Sequence, residues 1–254
     1  MSSIWFPHYR PRPGAMLRLL SFPFAGGGAS FYRGWEPFLP PEIELCAVQL
    51  PGREGRYREP LCRNIDRMLD EVQYELAGLP EMRCALAGYS VGAIFAYALA
   101  LRLTSAGAAP AHLVVAACPS PGFVDERALK SSMPDRDFEA RVLELNDDTP
   151  ELLTNRDLLS IMIPSVRADI EIVESFDAGP RTRVSCPISA FGGEADPAVA
   201  RAHLEDWRSM TTSDFSLRWF PGKHFFMRDC LSDAVSWIAQ RLADNSSGAC
   251  GAAP

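Results

Sequence analysis

Two patterns of hydrophobic and polar residues alternate along most of the chain. Short apolar runs that end at Gly, Pro or polar residues predict strands, and longer stretches with apolar residues three and four apart predict helices. The predicted strands are residues 16–22, 43–50, 84–87, 113–117, 188–191 and 215–220. The predicted helices are residues 31–38, 64–78, 91–104, 198–210 and 227–242. This alternation indicates an α/β fold with a mostly parallel central sheet that is flanked by helices on both faces.

One long insertion, residues 123–176, interrupts the alternation. It contains no strand pattern, but it contains two predicted helices at 135–145 and 157–175. Connections in α/β folds usually take about 2–6 residues, so an insertion of this length indicates a functional role. We expect a helical lid over the site. The lid would be inserted into a single domain that spans residues 1–254 and ends in a disordered tail at 246–254.

The segment Gly88-Tyr89-Ser90-Val91-Gly92 lies between a predicted strand and a predicted helix. Gly-x-Ser-x-Gly in that context is the nucleophile-elbow pattern, in which the serine occupies a sharp and strained turn. The turn raises the hydroxyl above the edge of the sheet. It also places the serine at the positive end of the following helix, where developing negative charge is favoured. The pattern therefore predicts Ser90 as a nucleophile.

A general base and a carboxylate follow the last two predicted strands. Of the four histidines, only His224 lies in a loop directly after a strand, where its imidazole could take a proton from Ser90. Asp196 follows the preceding strand and would hold the imidazole in the required tautomer. Two alternatives stay open: Asp196 could cap a helix that begins at Pro197, and Glu194 could be the carboxylate. The chain order of serine, aspartate and histidine is that of α/β-hydrolases.

An oxyanion hole requires two backbone N–H groups beside the nucleophile. We expect one from Val91, the residue after the serine, and one from Ala25 in the glycine-rich loop after the first strand. The alternative for this loop is a phosphate-binding site. The loop lacks both the Gly-x-Gly-x-x-Gly pattern and a Walker lysine, which disfavours a nucleotide site.

A second loop, residues 53–58, is locally basic in an otherwise acidic protein. Its arginines could contact a phosphate or an acidic partner near the entrance to the site. The interpretation we favour is that they lie on a solvated loop, paired with Glu54 and Glu59.

Charge and cysteine content exclude several classes of function. The net charge of −7 disfavours nucleic acid as a partner. No apolar stretch is long enough to span a membrane, and the N-terminus lacks the apolar core of a signal peptide, so we expect a cytoplasmic protein that does not bind membranes. The seven cysteines form no Cys-x-x-Cys pair, which disfavours a zinc or dithiol site. We expect neither a metal nor an organic cofactor.

Five segments occur in an order that is typical of one enzyme family. They are Phe22–Ser30, Gln49–Glu54, Gly88–Gly92, Gly192–Pro197 and Gly222–Phe226. Together with Val166–Asp169 in the insertion, they resemble type II thioesterases, which are stand-alone editing hydrolases of polyketide and nonribosomal peptide synthesis. The resemblance covers about residues 16 to 242.

The resemblance implies an α/β-hydrolase fold with a helical lid and no cofactor. It implies hydrolysis of acyl thioesters from the phosphopantetheine arm of acyl or peptidyl carrier proteins, which clears stalled chains, by an enzyme expected to be a monomer. Carried over by motif, Ser90 is the nucleophile, His224 the base and Asp196 its orienting carboxylate. The amides of Ala25 and Val91 hold the oxyanion.

The sequence departs from the commonest pattern of these thioesterases at two places. Phe24 stands where many members have His, and Tyr89-Ser90-Val91 replaces the frequent His-Ser-Met. Both changes leave the triad intact and alter the walls around the serine, so they bear on acyl preference. Three other functions fit the same residues: an esterase or lipase for oxygen esters, an acyltransferase, and an inactive protein that binds acyl-carriers as a scaffold.

Overall fold

The structure, a computed structural model, describes residues 3–121, 123, 128–145, 155–177, 179 and 182–247. Two parts of the insertion, 124–127 and 146–154, therefore lie outside the described residues. Residues 246 and 247 of the expected disordered tail belong to the last helix, and the rest of the tail lies outside the described residues.

A parallel sheet forms the centre of the molecule. Its strands in the described chain are β1 (Leu17–Phe22), β2 (Ile43–Ala47), β3 (Arg83–Tyr89), β4 (Leu113–Ala116), β5 (Ile188–Gly193) and β6 (Phe215–Phe220). Their order across the sheet is β2-β1-β3-β4-β5-β6, and every neighbouring pair is parallel. The predicted parallel sheet is confirmed. All carboxyl ends lie along one edge, where side chains from loops distant in sequence can meet.

Helices cover both faces of this sheet. The described α-helices are α1 (Ile65–Ala77), α2 (Val91–Ser105), α3 (Asp135–Leu145), α4 (Arg156–Ser175), α5 (Arg201–Glu205) and α6 (Leu231–Ser247). Helices α1 and α2 pack against one face of the sheet, together with part of α4. Helix α6 packs with a group of aromatic side chains on the other face. Asn64 caps α1 as its position predicts, because its side chain accepts the Arg67 amide at 2.8 Å.

Three predicted elements are shorter or less regular than the pattern indicates. Residues 31–38 form no α-helix but belong to two 3₁₀ turns, because Gly34 interrupts them with a φ of +90°. Residues 198–210 form only the short α5 and a following 3₁₀ turn. The second strand ends at Ala47, since the Gln49 amide donates to the Trp5 carbonyl at 2.8 Å and the chain leaves the sheet.

The helix after the elbow is buried on all sides. Every residue of α2 from Val91 to Ala100 is buried, because the helix lies between the sheet and neighbouring helices that include α4. Such a helix cannot shift without disrupting the core, so its N-terminus is a rigid base for the residue that precedes it. Among the described residues, no helix is both long and apolar enough to cross a bilayer.

Candidate active site

Ser90 occupies a strained turn between β3 and α2. Its φ of +54° and ψ of −128° lie outside the regions that non-glycine residues normally adopt. Both neighbouring glycines are required by close contacts: a Cβ on Gly88 would lie 2.0 Å from the Gly92 carbonyl oxygen, and one on Gly92 would lie 2.3 Å from the Phe22 carbonyl oxygen. The Ser90 amide donates to the Ala116 carbonyl at 2.8 Å, which ties the turn to β4.

The structure brings His224 and Asp196 to this serine. The His224 Nε2 atom lies 3.2 Å from Ser90 Oγ, and its Nδ1 atom lies 2.8 Å from Asp196 Oδ2. The Asp196 side chain is fully buried, and that of His224 is 7% exposed. Nucleophile, imidazole and carboxylate thus form one hydrogen-bonded chain at the carboxyl ends of three parallel strands, the arrangement of a Ser-His-Asp triad.

The two alternatives for the carboxylate are now distinguished. Glu194 is exposed at the surface, whereas Asp196 contacts His224. Asp196 also stabilises its own turn, because its Oδ1 atom accepts the Ala198 amide at 2.8 Å. The two oxygens have separate partners, so the turn fixes the carboxylate while the other oxygen faces the imidazole. It does not cap a helix, since α5 begins only at Arg201.

The Tyr89 side chain holds the backbone of His224 in place. Its hydroxyl donates to the His224 carbonyl, and its ring stacks on Phe225 with 6.0 Å between ring centroids. Burial raises the pKa of Tyr89 well above its ordinary value, so the hydroxyl keeps the proton that it donates. Sequence reasoning treated Tyr89 only as a change in the walls of the site. Its role was missed because the contact joins residues 135 positions apart.

The expected oxyanion donors lie beside the serine. Ala25 and Val91 both line the cavity that contains Ser90 and His224. Within the described chain, neither of their amides donates a hydrogen bond to another residue, whereas the next amide in the loop, that of Gly26, donates to Asp169 at 2.8 Å. Of these two loop amides, only that of Ala25 is therefore available to a ligand.

An apolar cavity of about 300 Å³ opens at Ser90. Its walls include side chains of α3 and α4 from the insertion as well as residues around Ser90 and His224. The lining side chains from the insertion include Leu129, Val142, Leu145, Met162, Val166, Ile170, Val173 and Phe176. Most of this lining is apolar, which suits an acyl chain, although Arg141 of α3 also lines the cavity.

The basic loop differs from the favoured interpretation. Arg53 does not pair with Glu54 on a solvated loop; it is 5% exposed and forms a bidentate pair with Asp169 on α4, which is 1% exposed. Arg56 is also buried, and it pairs with Glu59 as expected. Glu54 instead accepts a hydrogen bond from the Ser30 hydroxyl. The sequence could not show the Arg53 pair, since its partner lies 116 residues away.

Comparisons with known proteins agree with this geometry. A model of the thioesterase domain matches residues 17–242. The gramicidin S biosynthesis protein GrsT of Aneurinibacillus migulanus is 34% identical over 240 residues, which cover 94% of this chain and 93% of GrsT.

Two solved structures have the same fold. BorB, a type II thioesterase from the borrelidin biosynthetic cluster, matches with a TM-score of 0.81 at 30% identity, covering 96% of this chain and 98% of BorB. RedJ, a thioesterase from the prodiginine pathway of Streptomyces coelicolor, matches with a TM-score of 0.80 at 32% identity, covering 93% of this chain and 92% of RedJ. These matches confirm the predicted α/β-hydrolase fold. The chain belongs to the thioesterase family, hydrolases of thioesters, and within it to the type II thioesterases.

Proposed function

We propose that this protein hydrolyses acyl thioesters from the phosphopantetheine arm of an acyl or peptidyl carrier protein, and so clears stalled or misprimed chains. The observation that carries the proposal is the hydrogen-bonded chain of Ser90, His224 and Asp196 at the floor of an apolar cavity of about 300 Å³. The names of GrsT, BorB and RedJ support the biosynthetic setting, because each comes from the pathway of a natural product.

In the first half of the reaction, His224 Nε2 takes the proton of Ser90 Oγ, and Oγ attacks the thioester carbonyl. The tetrahedral oxyanion is held by the amides of Ala25 and Val91. Asp196 stabilises the imidazolium that forms, because its carboxylate lies 2.8 Å from Nδ1. The imidazolium then gives its proton to the leaving sulfur, which frees the pantetheine thiol and leaves an acyl-serine.

In the second half, water replaces the thiol. His224 takes a proton from that water, hydroxide attacks the acyl-serine, and the same oxyanion hole holds the second tetrahedral intermediate. Collapse returns the proton to Ser90 and releases the carboxylic acid. The acyl chain occupies the apolar cavity during both steps, so the residues of α3 and α4 that line it contact the substrate.

The insertion acts in this scheme as a lid within a single domain. Side chains from α3 and α4 line the same cavity as Ser90, which supports this role. Entry of the pantetheine arm from outside then requires a passage beside these helices. We propose that docking of the carrier protein takes place at this side of the molecule.

The test compares wild type with Ser90→Ala on carrier-bound acyl thioesters from acetyl to medium chain length. Loss of the nucleophile should lower kcat by about 10⁴–10⁶-fold. Ser232→Ala, an exposed serine at the start of α6, is the matched control and should retain wild-type turnover. Near-normal hydrolysis by Ser90→Ala would overturn the mechanism. Faster hydrolysis of matched oxygen esters than of thioesters would favour the esterase alternative.

A further inference from the structure

The loop that carries the Ala25 amide packs directly against α4. Gly26 has a φ of +75°, and a Cβ at this position would lie 2.6 Å from Val166 Cγ2 and 3.3 Å from Met162 Cγ. Glycine is required here for both reasons. The loop and the helix therefore touch without a gap, and the position of one determines the position of the other.

A buried ion pair fastens this contact. Asp169 of α4 accepts the Gly26 amide on Oδ2 at 2.8 Å, and it accepts Arg53 Nη2 on Oδ1 at 2.9 Å. Arg53 Nη1 donates to Oδ2 as well. Both carboxylate oxygens are thus satisfied inside the protein, and the guanidinium neutralises a carboxylate that is only 1% exposed.

Two hydrogen bonds fix the peptide planes on either side of Ala25. The Gly27 amide donates to the Phe24 carbonyl at 2.8 Å, and that carbonyl shares a plane with the Ala25 N–H. The Gly26 amide, in the next plane, donates to Asp169. Because both peptide planes are held, the orientation of the Ala25 N–H bond is fixed.

We propose that Asp169 and Arg53 are positioning residues for the oxyanion hole. Asp169 orients the loop through the Gly26 amide. Arg53 holds Asp169 in place and cancels its charge, since an unpaired carboxylate near the hole would oppose the developing oxyanion. The inference rests on the proposed function, because it assigns the Ala25 amide to the oxyanion of that reaction. It also makes α4 part of the catalytic framework, so that a displacement of α4 would disassemble the hole.

The first test is Asp169→Asn, with Glu171→Gln as the matched control. Glu171 is also on α4, but it pairs with Arg63 and this pair is partly exposed. For Asp169→Asn we expect kcat to fall by about 10–100-fold, the scale that a small misplacement of reacting groups produces, with KM nearly unchanged. Glu171→Gln should stay within twofold of wild type in both constants.

A second readout separates positioning from mere structural support. An acyl trifluoromethyl ketone forms a tetrahedral adduct with the serine, and the oxyanion of this adduct occupies the hole. Its affinity should fall in proportion to kcat in Asp169→Asn. Rates are expressed per active site titrated with a fluorophosphonate, so that unfolded protein is not counted. A role in folding alone would lower the number of titrated sites and leave kcat per site and inhibitor affinity unchanged.

A double variant protects the test against misfolding. Arg53→Met with Asp169→Leu replaces the buried ion pair by apolar side chains, which commonly preserves stability. It also removes the acceptor for the Gly26 amide. We expect this variant to keep a near-normal melting temperature and to lose kcat and inhibitor affinity as Asp169→Asn does.

Wild-type kcat per site and wild-type inhibitor affinity in both Asp169 variants would overturn the inference. The inhibitor reports on the hole whatever the natural acyl donor is. If wild type bound the inhibitor but did not hydrolyse carrier thioesters, the proposed function would fail while the positioning role could still be measured.

Discussion

Removal of one hydroxyl group, in Tyr89→Phe, tests how the catalytic histidine is held. The Tyr89 hydroxyl donates to the His224 carbonyl, and within the described residues no other group donates to that oxygen. Phenylalanine keeps the stacked ring, whose centroid lies 6.0 Å from that of Phe225, so the packing of the aromatic side chains is preserved. The change therefore isolates the hydrogen bond.

The expected loss of stability in Tyr89→Phe follows from the burial of this hydrogen bond. Tyr89 is 1% exposed, so loss of its hydroxyl leaves a buried carbonyl without a partner, which costs about 1–3 kcal/mol of unfolding free energy. The same loss releases the backbone of His224, whose Nε2 atom must stay within hydrogen-bonding distance of Ser90 Oγ. We expect kcat/KM for an acyl thioester to fall by about 10-fold to 100-fold, since displacements of the order of 1 Å produce losses of this size.

The assay measures urea unfolding and thioester kinetics for Tyr89→Phe and for Tyr97→Phe. Tyr97 is also buried, and its hydroxyl donates to the Thr182 carbonyl, far along α2 from the triad. The control should keep its kcat/KM, and it should lose less stability, because Thr182 is exposed and water can replace the hydroxyl. Wild-type kcat/KM in Tyr89→Phe, combined with the expected loss of stability, would refute the reasoning, because His224 would then be held without this bond.

Two further predictions concern the cavity and the pH dependence of stability. Ile170→Phe narrows the cavity above Ser90, so the ratio of kcat/KM for octanoyl to acetyl thioesters should fall by about 10-fold or more; an unchanged ratio would show that the chain lies elsewhere. Burial, with Arg241 nearby, lowers the pKa of His112 to about 4, below its unfolded value near 6.5. The neutral His112 side chain therefore makes its full contribution to the free energy of unfolding above pH 6.5, and this contribution is lost as the pH falls towards 4. Urea unfolding should show wild type losing about 2–3 kcal/mol more than His112→Gln between pH 7 and pH 4.5, and parallel pH profiles would contradict this assignment.

Much of the fold could be predicted from local pattern. Apolar runs predicted each strand of the sheet, the regular spacing of apolar residues predicted α1, and the helix-forming run after the elbow predicted α2, both nearly to their ends. The prediction was less good where backbone geometry outweighs side-chain pattern. Residues 31–38 look helical, but Gly34 has a left-handed conformation that ends one turn and begins another. Such a break depends on how the chain packs, so the spacing of apolar residues does not predict it.

The sequence by itself determined the candidate site, since Ser90, Asp196 and His224 each follow a predicted strand and parallel strands bring their carboxyl ends to one edge. Only the tertiary structure decided how these residues are held. The bond from Tyr89 to His224 joins residues 135 positions apart, and the pair of Arg53 and Asp169 joins residues 116 apart. Local pattern reports which face of an element is buried, but the choice of partner across the core depends on how all the elements pack together. For that reason an arginine that reads as a solvated surface residue lies buried behind the oxyanion loop.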